Sequence, residues 1–480
     1  MKQERSPGFK LFLTGFIALM LAVPLAAVYL LSWDRQEQSK TAQESIAAGW
    51  GGPQIITGPV LVIPYETESV ETVTQNGKDV TRTVKATREL YLSPEVNEVF
   101  TDLTPKRLKR SIYESVLFTA NNSGTARFAL PADFDRYGIK RESLKLASAE
   151  LRFGISDARG LQSNSQVSVN GKTRELQPGK GLNATQGSGF FTFVDWDAKM
   201  PLDVKYSYGI RGNKNITMVP RGVQTKWKVK SAWPSPSFDG DFLPTERDVT
   251  KSGFSSSHEI SNLALGQALV MTEDLAAPEP YYDGNYMSGS KRAVEPGVSQ
   301  SAIIALIEPV DLYSQVDRSV KYGFLFIGFT FLAFLMFDLV AGARVAAAEY
   351  LLTGTGLVLF FVMLLAFAEV VGFMWAYILA AGSITGLLTA YSAAVLKSWL
   401  RARVIGGLLI GLYATLYVLL NLEAYSLIIG SVLLFIALSV VMWATRAIDW
   451  SGIGRDTGDR DEATAPDASV RPSASVTSND

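Results

Sequence analysis

Residues 11–31 read LFLTGFIALMLAVPLAAVYLL, and the arrangement of the whole chain turns on whether this run is a removable leader or a permanent anchor. A secretory leader has an apolar core of ~7–15 residues that ends at a small-residue cleavage site. Ala26 and Ala27 would suit a signal peptidase, but the apolar run continues past them to Leu31. It is long enough to span a bilayer, which takes ~20 apolar residues. We therefore read an uncleaved anchor, preceded by the basic residues Lys2, Arg5 and Lys10 of a short N-terminus, 1–10.

Outward from this anchor, hydropathy divides the chain. Five further apolar runs lie near 322–342, 350–370, 372–394, 404–422 and 425–445, making six spans in all. Basic residues cluster on the cytoplasmic side of membrane proteins. Arg344 follows the second span, Lys397, Arg401 and Arg403 fill the loop after the fourth, and Arg446 follows the sixth. The opposite loops, at Val371 and at 421–424, carry no Lys or Arg. Both termini are thus expected in the cytoplasm, and residues 33–321 outside it. The predicted fold is a polytopic α-helical membrane protein whose first helix is followed by a large, mainly β extracytoplasmic domain. A five-helix bundle at 322–446 and a polar, disordered tail at 451–480 complete the expectation.

Residues 34–48 read as a polar helix continuing from the anchor to a break at Gly51-Gly52-Pro53. Beyond it come strand-like runs such as PVLVIPYETESVETV, RTVKATRELYLS, SLKLASAELRFGI, LDVKYSYGI and QTKWKVKSAW, several alternating with period two. Asn76-Gly77 and Asn170-Gly171 separate such runs and signal hairpins. Residues 281–300 read as a Gly- and Tyr-rich loop.

Composition removes several kinds of chemistry. With 45 basic against 46 acidic residues, net charge implies no nucleic-acid partner. The absence of cysteine excludes disulfides and thiolate chemistry, and a single histidine, His258, excludes a multi-His metal site. No cofactor is expected. A Ser-His site would have to use His258, but its neighbour Ser257 should face the other side of a strand. Ser288 and Lys291 match S-x-x-K without the accompanying motifs, and GKGLNA at 179–184 lacks the helix N-terminus that phosphate binding needs. We expect no catalytic residues.

Ionisable residues inside membranes are functional hypotheses by default. Asp338 falls near the cytoplasmic end of the second span and Glu369 near the outer end of the third, too far apart to share a proton. Interfacial anchoring is the simpler role for both. The small-residue pairs Gly382/Gly386 and Gly407/Gly411 are read as intrachain packing sites.

The stretches GGPQIITGPVLVIPY (51–65), SDARGL (156–161), WPSPSFDGDFLPTERDVTKSGF (233–254), DRSVKYGFLFIGFTFLAFLMFDL (317–339), EYLLTGTGLVLFFVMLLAFAEVVGF (349–373) and ATRAIDW (444–450), in this order, resemble the CreD family of bacterial inner-membrane proteins. The resemblance implies an inner-membrane location and a role in cell-envelope integrity and stress tolerance, in some bacteria under two-component control, without naming a biochemical activity. Two departures stand out: His258 occupies a position that is often Trp in the family, and Glu369 is followed by Val370 where His is frequent.

The expected function is non-enzymatic support of the envelope by the periplasmic domain. The bilayer is the one definite partner, with a periplasmic partner left open. Candidate contact or docking residues are Pro53, Gly58 and Pro59 in the first strand region, and Phe238, Gly240, Phe242, Leu243, Pro244, Arg247, Gly253 and Phe254 in the Pro/Gly-rich segment 234–254. For these the simpler role is shaping the domain. The alternative is a transporter or flippase-like protein whose helices use Glu369.

Overall fold

The computed structural model describes residues 7–75, 78–110, 113–279, 297–307, 312–340, 345–421 and 426–446. The tail 451–480, the S-x-x-K pair Ser288 and Lys291, the Asn76-Gly77 turn and most of the 281–300 loop lie outside these residues. The chain forms two compact units, one of Met1–Gln36 with Val310–Asp480, the other of Glu37–Pro309.

The first unit is helical. Its helices are α1 (Pro7–Ala48, shared with the second unit), α3 (Leu312–Lys321), α4 (Gly323–Val340), α5 (Ala347–Val371), α6 (Phe373–Val395), α7 (Trp399–Asn421) and α8 (Ser426–Thr445); the short α2 (Asn262–Leu265) belongs to the second unit. Among the described residues, five stretches are long and apolar enough to cross a bilayer: Gly8–Ala48, Leu312–Asp338, Ala347–Val371, Phe373–Val395 and Trp399–Asn421. The expected sixth run forms α8, whose 20 residues carry no charge.

On α1, Ile17, Leu21, Leu25 and Val28 share one buried stripe, the spacing that stacks residues on one helix face. The stripe packs in a core with Phe331, Phe360, Phe361 and Leu409. Close approach uses other glycines than the sequence pattern suggested. A Cβ at Gly406 would meet Thr389 Oγ1 at 2.6 Å and one at Gly356 would meet Leu388 at 2.9 Å. Gly382, Gly386, Gly407 and Gly411 have nothing within 4 Å of an added Cβ. Their expected role in intrachain packing is therefore not met; among the described residues nothing packs closely against them.

The hydropathy boundary at 321 also moves. Residues 312–321 form α3, in which Tyr313, Val316 and Val320 recur every three to four positions and enter the helical core, while Asp317 and Lys321 pair on the other side at 2.7 Å.

The second unit is a two-sheet sandwich. In chain order its strands are β1 (Gln54–Gln75), β2 (Lys78–Leu92), β3 (Val96–Arg110), β4 (Tyr113–Phe128), β5 (Ala149–Ile155), β6 (Gln166–Val169), β7 (Lys172–Arg174), β8 (Gln177–Pro178), β9 (Gly189–Val194), β10 (Leu202–Asn213), β11 (Asn215–Val219), β12 (Gln224–Ser231), β13 (Pro236–Gly240), β14 (Glu246–Thr250), β15 (Gly253–Ser261), β16 (Val270–Met271) and β17 (Ala302–Leu306). One sheet runs β13-β17-β11-β1-β5-β9-β8, with β2 and β16 attached to β1. The other runs β14-β15-β12-β3-β4-β10-β6-β7. Among the described strands, only the pairs β1–β11 and β12–β3 are parallel.

The inner faces meet in one apolar core that includes Ile56, Leu61, Phe153 and Phe190 from the first sheet and Val99, Phe118, Tyr208 and Trp227 from the second. Phe153 stands edge-on to Tyr206 and Tyr208, with ring centroids 5.2 and 6.2 Å apart. The Asn170-Gly171 signal is a hairpin turn joining β6 and β7; both residues have positive φ, 49° and 76°, the mirror-image turn that matches strand twist.

Where α1 ends at Ala48, Ile46 and Ala47 pack on Leu117 and Trp50. Gln43 donates to the Glu114 carbonyl at 3.0 Å, and Arg110 reaches Ser45 Oγ at 3.2 Å. The last residues of α1 are thus fixed to the β3–β4 hairpin.

Candidate functional site

The Pro/Gly-rich segment 234–254 has a definite place: it carries the chain from one sheet to the other along one side of the sandwich. β13 is the edge strand of the first sheet and β14 that of the second. The turn between them uses Gly240 at φ 92°, where a Cβ would meet the Ser301 carbonyl oxygen at 2.5 Å. Gly253, at φ 146°, begins β15, where a Cβ would collide with the Ser231 carbonyl oxygen. Both positions demand glycine.

Phe254 is buried, Phe238 meets it edge-on at 5.8 Å, and Phe238 and Phe242 pack against the core. Asp241 Oδ2 accepts from the Ser301 amide at 2.8 Å. Leu243 and Arg247 remain at the surface, Leu243 at 65% exposure, and Pro244 is half-buried. Of the candidate contact residues here, Leu243 and Arg247 are the exposed ones, while Phe238, Gly240, Phe242 and Pro244 are half-buried and Gly253 and Phe254 buried.

The Gly58-Pro59 pair lies inside the first sheet, both residues buried, where the β1–β5 register shifts between Thr57 and Val60. Gly58 has φ 95°, and its carbonyl accepts from Asn97 Nδ2 at 3.2 Å. Pro53 is exposed at the start of β1.

His258 points into the sandwich beside Ser257, which faces out as strand alternation requires. It is fully buried and stacks on Trp227 at 5.1 Å. Neither imidazole nitrogen has a hydrogen-bond partner among the described residues, and burial pushes its pKa down to about 4. An unpaired neutral ring on an indole is a packing element. GKGLNA is a loop whose Lys180 binds Glu150 at 2.6 Å.

Sequence reading missed a charge network on the outer face of the first sheet. Arg152 Nε donates to Glu150 at 3.0 Å and its Nη1 to Glu89 at 3.2 Å, and the Tyr91 hydroxyl donates to Glu89 at 2.7 Å. Burial works to raise the Glu89 carboxyl, but the hydrogen bonds from Arg152 and Tyr91 leave it below its usual range. Nearby, Arg221 and Asp274 form a fully buried pair at 2.7 Å, and the Asn183 amide donates to Asp274 at 2.6 Å. These bonds pin the loops at 180–188 and around 274 over the sheet. Charged residues on alternating strands read as solvated, so no local signal marked them.

Among the described residues, nothing covers the cleft on the outer face of the second sheet. This cleft, of about 560 Å³, is lined by Glu98, Phe100, Ser123, Lys205 and Lys228, among others. Phe100, half-exposed, sits in register between Ser123 on β4 and Lys228 on β12. An exposed aromatic ring on a sheet face is suited to a contact surface.

In the helical unit both acids are engaged. Lys10 on α1 pairs with buried Asp338 on α4 at 2.9 Å, so the basic flank of the first span neutralises the acid of the second. Glu369 accepts from the Tyr313 hydroxyl at 3.2 Å. Among the described residues no cluster of three or more His, Cys, Asp or Glu could hold a metal.

The full-length comparisons agree with one another. The chain is 30% identical over 442 residues to an Escherichia coli (strain K12) protein described as inner membrane protein CreD, covering 90% of this chain and 91% of that one. Two crystal structures of an M1 zinc metallopeptidase from Deinococcus radiodurans overlap 65% and 66% of this chain and 94% and 93% of theirs. Their TM-scores of 0.23 and 0.21 at 8% and 7% identity carry no fold relationship. The signature described as inner membrane protein CreD matches residues 6–451, so the chain belongs to the CreD family of inner membrane proteins.

Proposed function

We propose that this protein supports the integrity of the cell envelope and its tolerance of stress through contacts made by its β-sandwich in the periplasm, without an enzymatic step. In this reading both termini face the cytoplasm, as the distribution of Lys2, Arg5, Lys10, Arg344, Lys397, Arg401, Arg403 and Arg446 supports.

The observation that carries the proposal is a division of labour. The intramembrane acids are each engaged within the helical unit, Asp338 by Lys10 and Glu369 by Tyr313. The sandwich, in contrast, offers a sheet face with exposed Phe100 flanked by Lys205, Lys228 and Glu98. A helical unit whose charges hold it together is an anchor; an open face outside the membrane is a contact surface.

Complementation of a deletion strain under detergent stress tests this. The full-length protein, Glu369→Gln and a double charge reversal, Lys205→Glu with Lys228→Glu, would be compared at matched membrane levels. Survival restored by Glu369→Gln and lost with the charge reversal is the expected result. The opposite pattern would place the working part in the helices.

A further inference from the structure

The far side of the sandwich, where β7 of one sheet leads directly into β8 of the other, carries an open cavity of about 440 Å³. That volume lies within the ~300–1,000 Å³ range of small-molecule sites. Its walls include Leu161, Leu176 and Phe190, and its polar groups include Gln162, Gln177 and Arg174. Arg174 is the one charged residue of the lining, with no carboxylate beside it there. Its Nε is buried and has no hydrogen-bond acceptor among the described residues. Buried donors are normally satisfied, and the guanidinium fork is shaped for two parallel bonds to a carboxylate.

The hairpin places this group. The Asn170-Gly171 turn returns the chain so that Arg174 pairs with Val167. Gln162 is fixed beside the cavity by its amide's bond to the Gly209 carbonyl at 2.8 Å. The pocket therefore combines one cation, neutral amides and apolar walls.

We propose that this cavity binds a small ligand bearing a carboxylate. Arg174 holds the carboxylate and the side chains of Leu161, Leu176 and Phe190 take its apolar body. A free carboxylic acid and the C-terminus of a short peptide share this chemistry.

Isothermal titration of the full-length protein in lipid nanodiscs tests the assignment, with N-acetylleucine, N-acetylleucinamide, and an acetylated tripeptide ending in leucine as the free acid. N-acetylleucine should bind at least about tenfold more tightly than the amide, a factor within the reach of one charge-assisted pair. Arg174→Gln should abolish that preference. Ala158→Trp, at an exposed position of the lining, should weaken binding while leaving the melting temperature unchanged, which keeps the test valid if Arg174→Gln disturbs folding. Tripeptide affinity equal to that of N-acetylleucine would assign the site to peptide termini, and weaker tripeptide binding would assign it to free acids. Equal binding of acid and amide, no binding of either at millimolar concentration, or a preference that survives Arg174→Gln would overturn the proposal.

Discussion

The two sides of the sandwich solve the same problem differently. Each sheet ends in a strand with unpaired backbone groups, a liability that proteins limit with charges, prolines or very short strands. On one side β13 starts with Pro236 and β14 carries Glu246, Arg247 and Asp248, all exposed. There the connecting segment fills the gap between sheets with Phe238, Phe242 and Phe254. On the other side β7 and β8 have three and two residues, and the link between them is too short to fill the gap. A packed side results in the first case and a cavity with an arginine in the second. The difference teaches that an aromatic-rich, glycine-punctuated segment can be a seal, while a pocket can arise where the chain crosses too quickly to make one.

Substitutions can break this contrast. The largest effect is expected from Gly253→Val, which puts a side chain at positive φ against the Ser231 carbonyl oxygen. Backbone strain and overpacking together should cost about 4 kcal/mol, read as a lower denaturation midpoint for the sandwich. Phe254→Ala removes a buried ring from the seal and should cost about 3–4 kcal/mol.

The same side carries a pH signature through His258, which packs with Phe238 and Trp227. Its folded pKa of about 4 lies below the unfolded value of 6.5. The unfolded chain therefore takes up a proton first, and stability falls as pH drops from about 6.5 to about 4, by about 3 kcal/mol in total. His258→Phe should flatten that slope in melting curves taken between pH 4 and 7, and an unchanged slope would assign it elsewhere. Leu243→Ser, at the exposed tip of the same segment, should change stability by less than about 0.5 kcal/mol. A larger loss would mean that the tip is part of the seal.

Much of this architecture was legible in the chain itself. The helices follow from uncharged runs, and the hairpin at Asn170-Gly171 from a dipeptide that tolerates positive φ at both positions. Strand β3 was not legible, because its inward positions include Asn97 and Thr101 while Val96 and Phe100 face out. Those inward polar groups are satisfied across the core: Tyr206 donates to Asn97 at 3.0 Å, Trp227 to Thr101 at 2.9 Å, and Thr101 to Asn122 at 2.7 Å. Their partners are distant in sequence, so hydropathy alternation runs out of phase there. Helix α3 hid for a related reason: Asp317, Arg318 and Lys321 mask a stripe made of Tyr313, Val316 and Val320. The aromatic content of 234–254 was visible, but its direction was not, because edge position depends on strand order. Neither Arg174 nor the Arg152 network has a local pattern at all.

One tight turn bears on how the protein is made. A single residue, Gly372 at φ 81°, separates α5 from α6. With so little chain between them, the two helices form a hairpin with Glu369 three residues from its apex. An acidic side chain within the hydrocarbon costs about 2.5–3.5 kcal/mol on insertion scales, so a polar partner close by lowers the cost of placing this hairpin. Tyr313 precedes it in the chain, and by the time the apex emerges the ribosome has already delivered the hydroxyl that receives it.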